Sequence, residues 1–250
     1  MAVLSDISQY SPLFINALVF VSRWHQYQQR KTGEPYITHL LATAALVFEH
    51  GGTEEEAIAA LAHDAVEDVG ITFDQIEFRF GKEVARIVEA LTEDKTLPKE
   101  ERKRDYAARI AVCDRSVALV SAADKLHNLK SFPKNPEMIT PDTIWFYCLL
   151  SPQYRLVLGE RHLICQEMYP LIKQMINRYD AYILPGSPGS GYDRLLVFPT
   201  EIHAGMRVAT SLEFVRNIST PQQRELERNN YPGVKVRLAD GEFALRKLGC

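Results

Sequence analysis

Two stretches of the chain, when drawn as helices, are apolar nearly all round or free of charge on every face, and this pattern predicts that they are largely buried. The first runs from about Tyr36 to His50. The second is the charge-free segment Val117–Ala123, in a helix predicted to begin after the N-cap Asp114 and to end near Lys130. A third apolar run, Ala57–Ala62, follows a Thr53-Glu54-Glu55-Glu56 capping box. These segments predict a mainly α-helical protein with buried helices at its centre.

Helical patterns continue from Pro12 to about residue 184, so residues 1–184 are predicted to form one helical domain. Its first helix is expected to run to Arg30, before a break at Lys31–Pro35. Residues 185–191 consist of proline, glycine and serine and have the composition of a linker. Residues 192–250 are predicted to form a small α+β or β-rich appendage, with strands within 194–202 and 233–248 and no recognisable functional motif.

Composition limits the partners that the chain can have. The 250 residues carry a net charge of about −3, so the molecule as a whole has no electrostatic reason to bind nucleic acid or an anionic membrane. The four cysteines have no zinc-type spacing, and no segment reaches eighteen uninterrupted apolar residues. We therefore expect a cytoplasmic protein without a signal peptide or membrane span. Nothing in the sequence predicts its oligomeric state.

Four polar residues stand at the end of the central helix, which is predicted to extend from residue 53 to Gly70. His63, Asp64, Glu67 and Asp68 have spacings of three and four residues, so they can share one sector of a continuous helix. Carboxylates in a last helical turn cost about 0.3–1 kcal/mol each, because the helix dipole is negative there. This cost indicates a bound cation or a chemical role. A solvated acidic helix end is the alternative.

Two more polar residues lie in predicted interior helices. His39 is the one early polar residue of its helix that could face inward, and a hydrogen-bonded core histidine is the alternative to a ligand. Asp124 follows the charge-free run, where an unpaired carboxylate would cost several kcal/mol. Lys125 points about 100° away around the helix, so a metal ion is the preferred partner. Asn128 lies one turn further on.

Together, His39, His63, Asp64 and Asp124 supply two imidazoles and two carboxylates from three helices. Such a set suits Mn2+, with Fe2+ and Zn2+ as alternatives, and it leaves coordination positions for water and substrate. Glu67 and Asp68 are then placed to orient or deprotonate a water molecule.

The chain also carries a charged run, from Lys95 through Lys99 to Asp105, on a helix that Pro98 is expected to start. A run of mixed sign typically forms a solvated helix face. The alternative is that some of its basic side chains lean over a pocket and bind phosphate.

Three motifs resemble a known family. His39, His63-Asp64 and the distant Asp124 are similar to the His…His-Asp…Asp signature of the HD-domain phosphohydrolases. More narrowly, the segments that end in His39, Asp68 and Asn128 resemble the hydrolase domain of the RelA/SpoT family, and they read Arg30-Lys31-Thr32-Gly33-Glu34-Pro35-Tyr36-Ile37-Thr38-His39, His63-Asp64-Ala65-Val66-Glu67-Asp68 and Ala123-Asp124-Lys125-Leu126-His127-Asn128. The resemblance covers roughly residues 10–150.

The resemblance implies an HD helical bundle and Mn2+-dependent removal of the 3′-pyrophosphate of ppGpp or pppGpp. Carried over by position, it implies metal ligation by His39, His63, Asp64 and Asp124, water activation by Glu67 and Asp68, and nucleotide contacts from Arg30, Lys31 and Asn128. Arg30 is expected to stack its guanidinium on the purine base. Because the 59 residues after the predicted linker are too few for an alarmone synthetase region, we expect a stand-alone hydrolase, similar in layout to small alarmone hydrolases.

The chain departs from the family pattern at three positions: Leu40 replaces a proline, Val69 a threonine and Lys125 an arginine. None is an expected ligand, but they leave the substrate less certain than the metal site. One alternative is another nucleotide phosphomonoesterase, acting on NADPH or a deoxynucleotide. The other is a non-catalytic module that senses a nucleotide.

Overall fold

The computed structural model describes residues 11–184, 194–199, 235–238, 241–244 and 246–247. It divides into two compact units. The first comprises the chain up to Asn135 together with Leu149–Tyr169, and the second comprises Pro136–Cys148 together with the chain from Pro170 onward. The predicted linker at 185–191 lies outside the described residues, so the boundaries at 184 and 192 remain predictions.

Helices dominate the described chain, as predicted. Their bounds are α1 Pro12–Trp24, α2 Ile37–Glu49, α3 Glu54–Ala62, α4 Ala65–Val69, α5 Phe73–Phe80, α6 Lys82–Leu91, α7 Lys99–Val112, α8 Arg115–Ser131, α9 Pro141–Leu158 and α10 Leu163–Arg178, with short 3-10 turns at Phe132–Lys134 and Pro136–Met138. No helix among these combines the length and hydrophobicity that crossing a bilayer requires.

Helix α3 lies at the centre of the first unit. Its residues Ala57–Ala62 are completely inaccessible to solvent, and α1, α2, α6 and α8 all pack against it. The charge-free half of α8, Val117–Ala123, is at most 1% exposed. Helix α2 buries one face, which includes Leu40 and Val47, and leaves Leu41 45% exposed. The three helices that were predicted to be interior therefore form the core from which the site is built.

A tight turn connects α2 to α3 and sets the distance between them. Gly51 adopts a left-handed conformation with φ of 75°, and the Gly52 N–H donates to the Val47 carbonyl at 2.8 Å. Thr53 and Glu56 then form the predicted capping box at the start of α3. A Cβ on Gly52 would lie 2.3 Å from Val47 Cγ1 and 2.8 Å from the Val47 oxygen. The turn therefore has no room for a side chain at this position.

Replacement of Gly52 by alanine is expected to destabilise the protein by about 1–3 kcal/mol, because overpacking forces α2 and α3 apart. For a chain of this size the melting temperature should fall by roughly 2–12 °C. Thermal denaturation followed by circular dichroism measures the change. Glu49→Ala, an exposed change at the end of α2, serves as the control and should leave the melting temperature within error. An unchanged melting temperature for Gly52→Ala would contradict the close packing of this turn.

The central helix is interrupted, and the expectation of one continuous helix from 53 to 70 is wrong. Helix α3 ends at Ala62 and α4 begins at Ala65, with Asp64 at φ −97° and ψ −1° between them. Gly70 closes α4 in a left-handed conformation, as its position predicted. Because the break separates His63 and Asp64 from Glu67 and Asp68, helical spacing alone does not determine how the four side chains meet.

Helix α1 is shorter than expected, since it ends at Trp24 and not at Arg30. Beyond His25 the chain turns back on itself: the Gln28 N–H donates to the His25 carbonyl, and the Tyr36 N–H donates to the Gln28 carbonyl. Gln29 and Pro35 form an isolated antiparallel bridge. The apolar stripe of α1 stops at Trp24, and the residues that follow form backbone hydrogen bonds within the turn instead of continuing the helix.

The second unit contains the described strands. Strand β1, Tyr179–Leu184, pairs antiparallel with β2, Arg194–Pro199, and with β5, Arg246–Lys247, while β3, Lys235–Leu238, pairs with β4, Gly241–Ala244. Residues 179–184 were expected to be helical, and that expectation is wrong. The segment is rich in aromatic and branched residues, which favour a strand once a partner strand is present.

Candidate metal centre

The four predicted ligands converge between α2, the end of α3 and α8. His39 Nε2 lies 3.2 Å from Asp124 Oδ1 and 3.8 Å from Asp64 Oδ2. His63 Nε2 lies 3.0 Å from Asp64 Oδ2 and 3.8 Å from Asp124 Oδ1. The His39, His63 and Asp124 side chains are at most 9% exposed, whereas that of Asp64 is 21% exposed. The cluster is therefore an interior site that opens to solvent on the Asp64 side.

The backbone fixes how His63 faces the cluster. Its Nδ1 lies 2.8 Å from the Ala60 carbonyl oxygen, which can only accept, so Nδ1 carries a proton. A neutral His63 then directs the lone pair of Nε2 at two carboxylates, and this buried atom has no hydrogen-bond partner. Burial lowers the pKa of His63, but Asp64 and Asp124 outweigh burial and raise this pKa to about 9. The two carboxylates around Nε2 thus favour a positive charge at this position.

His39 is oriented by a histidine to which the sequence analysis gave no role. His39 Nδ1 lies 2.7 Å from His127 Nδ1, and Arg30 Nη1 approaches the same His127 atom at 3.1 Å. A guanidinium only donates, so His127 Nδ1 accepts and the proton between the rings belongs to His39 Nδ1. His39 therefore directs the lone pair of Nε2 into the cluster, which is the arrangement of a metal-binding histidine.

Both histidines of this pair favour the neutral form. Burial lowers the pKa of His39, and burial with the neighbouring His39 and Arg30 lowers the pKa of His127 to about 4. His127 stands three residues after Asp124, so it faces the same side of α8. The spacing of three residues from Asp124 could have indicated from the sequence that His127 contacts the cluster.

Asp124 is held from two sides. Its Oδ2 contacts Lys125 Nζ, and its Oδ1 accepts from Asn128 Nδ2 at 2.7 Å. The expectation that Lys125 points away from Asp124 is wrong, because the long lysine side chain folds back although its Cβ leaves the helix in another direction. Burial opposes ionisation of Asp124, but Lys125 and the two cluster histidines hold its pKa well below the ordinary value. Asp124 is an anion with one oxygen facing the imidazoles.

Asp64 has a donor of its own. The Tyr36 hydroxyl donates to Asp64 Oδ2 at 2.5 Å, and the Tyr36 ring packs edge-on against His39 at 5.7 Å. Burial and the adjacent Asp64 raise the pKa of Tyr36 far above its ordinary value, so the hydroxyl keeps its proton. Burial opposes ionisation of Asp64, while His63 lowers its pKa. The second carboxylate of the cluster is thus also anionic and fixed in direction.

Glu67 and Asp68 contact different parts of the chain. Glu67 Oε1 accepts from the Glu93 N–H at 2.8 Å, and Glu67 Oε2 lies 3.4 Å from Lys95 Nζ. Asp68 Oδ2 accepts from Gln28 Nε2 at 2.7 Å. Each acid therefore has a donor from a segment outside its own helix, and Asp68 remains exposed to solvent.

The predicted nucleotide contacts are partly assembled. Arg30 Nη2 donates to Asn128 Oδ1 at 2.9 Å, so the α1–α2 connection meets α8 beside the candidate ligands. The Lys31 side chain is exposed in the turn that follows. The structure therefore brings Arg30 and Asn128 together, with Lys31 next to them in sequence.

The charged run on α7 forms ion pairs with an acid that lies outside the run. Arg102 Nε lies 2.8 Å from Glu93 Oε2, and Lys103 Nζ lies 2.5 Å from Glu93 Oε1. Arg104 pairs with Glu100 along the helix surface. Part of this run therefore anchors the segment before α7, while other members form the solvated face that a mixed-sign run predicts.

A divalent ion fits these residues. One ligand atom from each of His39, His63 and Asp124 can be chosen so that all three lie within 4.8 Å of one another. Asp64 Oδ2 adds a fourth donor at 3.0 Å from His63 Nε2. Two imidazole lone pairs and two carboxylates then face one point, a combination that favours a bound cation. Nitrogen and oxygen donors of this kind suit Mn2+, Fe2+ and Zn2+.

Comparison with known proteins finds a matching family, relatives in sequence and a similar solved structure. The family model described as the HD domain matches residues 17–144. Guanosine-3′,5′-bis(diphosphate) 3′-pyrophosphohydrolase MESH1 from Xenopus tropicalis is 42% identical over 132 residues, which cover 51% of this chain and 74% of the relative. The guanosine-3′,5′-bis(diphosphate) 3′-pyrophosphohydrolase of Aquifex aeolicus is 39% identical over 156 residues, which cover 60% of this chain and 22% of the relative.

A solved structure described as a metazoan ortholog of SpoT that hydrolyses ppGpp superimposes with a TM-score of 0.60 and 26% identity. The superposition covers 66% of this chain and 96% of that structure. The matched family region contains all four candidate ligands.

Proposed function

Because the chain belongs to the HD domain family, we propose that it is a metal-dependent phosphohydrolase that removes the 3′-pyrophosphate of ppGpp and pppGpp. The resemblance to RelA/SpoT-type hydrolases is confirmed in two ways. A relative with 42% identity is named guanosine-3′,5′-bis(diphosphate) 3′-pyrophosphohydrolase, and a structural neighbour is described as a SpoT ortholog that hydrolyses ppGpp. The observation that carries the proposal is the convergence of His39, His63, Asp64 and Asp124 on one point.

We propose that these four side chains hold one Mn2+ ion, with Fe2+ and Zn2+ as alternatives. His39 and His63 supply Nε2, and Asp64 and Asp124 supply one carboxylate oxygen each. The bound ion supplies Lewis acidity, which makes a water molecule more acidic and withdraws electron density from a phosphoryl oxygen. Around it, Tyr36, Lys125 and the Ala60 carbonyl keep the ligands in their orientations.

The proposed reaction is hydrolysis of the ester that joins the ribose 3′ oxygen to pyrophosphate. The oxygen of water forms a bond to the phosphorus next to the ribose, and the bond from that phosphorus to the 3′ oxygen breaks. Asp68 and Glu67 are proposed to orient the water and accept its proton, and the 3′ oxygen leaves with a proton. Pyrophosphate and GDP, or GTP when the substrate is pppGpp, are the products.

Recognition of the nucleotide is proposed to rest on Arg30, Lys31 and Asn128. Hydrogen bonds from Arg30 to Asn128 and His127 hold the guanidinium in place, and its flat face can then stack on a purine base. The ammonium group of Lys31 lies on the exposed side, where it can meet phosphate.

An assay of the purified protein tests the proposal. Protein loaded with Mn2+ should convert ppGpp to GDP and pyrophosphate, separated by anion-exchange chromatography or followed by phosphorus NMR. NADPH and deoxynucleoside triphosphates serve as competing substrates, and faster phosphate release from either would favour the other phosphomonoesterase function. Absence of pyrophosphate release with Mn2+, Fe2+ and Zn2+ would refute the proposal.

Metal binding should also be visible without turnover. At a Mn2+ concentration 100 times its dissociation constant, binding stabilises the folded protein by about 2.7 kcal/mol. For a chain of this length the melting temperature should rise by roughly 5–11 °C. Differential scanning calorimetry of the chelator-treated protein, with and without Mn2+, measures the shift, and Ca2+ is the control because it prefers sites made of oxygen ligands alone. A melting temperature that Mn2+, Fe2+ and Zn2+ all leave unchanged would contradict a metal site.

A further inference from the structure

Two residues of the connection between α1 and α2 contact the acidic residues Asp64 and Asp68, and a third residue contacts both of these connection residues. Gln28 donates to Asp68, and Tyr36 donates to Asp64. His25 contacts both donors: its Nδ1 lies 2.6 Å from Gln28 Oε1, and its ring stacks on the Tyr36 ring with centroids 5.3 Å apart and planes at 18°. We call His25, Gln28 and Tyr36 the brace.

Only one orientation of the Gln28 amide gives every hydrogen bond of the brace one donor and one acceptor. Asp68 is a carboxylate and needs a donor, so the amide nitrogen of Gln28 faces it at 2.7 Å. The amide oxygen of Gln28 therefore faces His25. Since that oxygen can only accept, His25 Nδ1 must carry a proton. If the amide of Gln28 were reversed, two oxygens would meet at hydrogen-bond distance.

The other ring nitrogen of His25, Nε2, forms no hydrogen bond in this arrangement. His25 is 2% exposed, and its Nε2 is buried without a hydrogen-bond partner. With the proton on Nδ1, this Nε2 is an acceptor that has lost its water on folding. A phenylalanine of similar size would avoid that loss. Stability alone therefore does not favour histidine at this position, whereas an Nδ1 donor that orients Gln28 does.

The backbone ties the same residues together. The Gln28 N–H donates to the His25 carbonyl, and the Tyr36 N–H donates to the Gln28 carbonyl, both at 3.0 Å. The brace is therefore one hydrogen-bonded unit, and a change in the orientation of His25 would be transmitted to Gln28.

We propose that His25 is a positioning residue, which orients Gln28 so that Asp68 points at the reacting water. The proposal rests on the proposed function, because it assigns His25 a task in the reaction to which Asp68 contributes. His25 acts through Gln28 and does not touch the substrate. Tyr36 completes the brace by fixing Asp64 while its ring packs on His25.

Two substitutions separate positioning from stability. His25→Phe keeps a ring against Tyr36 and removes both the Nδ1 donor and the unpartnered Nε2, so its melting temperature should equal or exceed that of the wild type. Because Asp68 itself remains, kcat should fall by about 10–100-fold, which is less than the 10²–10⁴-fold contribution of a positioned base, with KM unchanged. His25→Asn loses the ring but places an N–H close to the position of Nδ1. This variant should be less stable than the wild type and should keep most of its kcat.

The matched control is His50→Phe, the same substitution at a buried histidine that contacts Glu167 and Leu46 outside the candidate metal centre. It should lower the melting temperature and leave kcat unchanged. If His25→Phe retained wild-type kcat, or if both His25 variants lost kcat equally, the positioning role would be refuted. We expect the more stable variant, His25→Phe, to have the lower kcat, and the less stable variant, His25→Asn, to have the higher kcat. A merely structural role of His25 would not produce these opposite rankings.

A second measurement does not depend on turnover. Nitrogen-15 NMR of histidine-labelled protein in the metal-free state, assigned by the signals absent from His25→Phe, should show His25 as the Nδ1–H tautomer. An Nε2–H tautomer would overturn the proposal even if the enzyme is active. Conversely, failure of the wild type to hydrolyse ppGpp with any metal would refute the proposed function and leave the tautomer result standing, so the two failures are distinguishable.

Discussion

Replacement of Asp124 by asparagine is expected to remove metal binding and hydrolysis together. Asp124 Oδ1 lies 3.2 Å from His39 Nε2 and 3.8 Å from His63 Nε2, so this buried carboxylate faces both imidazoles, as Asp64 does from the other side of the cluster. An asparagine has one oxygen and one NH2 group, and both ends of this side chain meet a donor, Asn128 on one side and Lys125 on the other. In either orientation, a donor faces a donor and the site loses a negative charge.

The loss should exceed the roughly 10–100-fold fall in metal affinity that follows the removal of an outer partner. Bound manganese is measured by atomic absorption after gel filtration, and the rise in melting temperature on addition of Mn2+ provides a second readout. Both signals should be absent from Asp124→Asn, and pyrophosphate release from ppGpp should fall to background.

Asp114→Asn is the matched control, because it makes the same change at the N-terminus of the same helix. Asp114 is the N-cap of α8 and accepts from the Val117 N–H at 3.0 Å, a role in which asparagine serves as well as aspartate. This variant should bind Mn2+ as the wild type does. Retention of metal by Asp124→Asn at wild-type affinity would refute the ligand assignment.

The core helices and the proximity of the four polar side chains could be predicted, because burying polar residues within apolar helices costs free energy unless they have partners. His39 and Asp124 are themselves buried in largely apolar helices, so each needed a partner, and one cation could serve both. The predicted partner of Asp124 was incomplete, since Lys125 also contacts it. Helix geometry gives the direction of a Cβ atom but does not limit where a flexible four-carbon chain ends.

The interruption at His63 and Asp64 could not be predicted from periodicity. Local sequence favours continuation, because alanine precedes the break and follows it. Two contacts stabilise the interrupted helix. Tyr36 donates to Asp64 from a distant part of the chain, and the His63 side chain donates to the Ala60 carbonyl three residues earlier. Only the folded chain brings Tyr36 to this position.

The brace was missed for a related reason. His25 and Gln28 follow an apolar stripe, and a helical pattern with polar residues at its end resembles a solvated last turn. The turn that places Gln28 beside Asp68 includes a backbone hydrogen bond from the Tyr36 N–H to the Gln28 carbonyl. A local sequence pattern does not reveal this bond. The same fold brings Arg30 to Asn128, a contact between residues almost a hundred positions apart in the chain.

Glu67→Gln and Asp68→Asn are each expected to lower kcat by about 10²–10⁴-fold while Mn2+ affinity stays at the wild-type level. Neither acid is a proposed ligand, so metal binding should not depend on its charge. Both substitutions keep the hydrogen bonds that the structure shows, because an amide carbonyl in place of Glu67 would still accept from the Glu93 N–H, and one in place of Asp68 would still accept from Gln28. What each variant loses is the negative charge and the capacity to take a proton from water.

Kinetics on ppGpp with each variant fully loaded with Mn2+, together with calorimetric Mn2+ titration, measures both quantities. Lys95→Met provides the control for Glu67, because it removes the cation that contacts Glu67 and leaves the carboxylate in place. It should reduce kcat far less than Glu67→Gln. If the double variant Glu67→Gln, Asp68→Asn still released pyrophosphate at the wild-type rate, water activation would have to come from another group. If it bound Mn2+ poorly, the two acids would belong to the metal site, because their charge would then contribute to holding the ion.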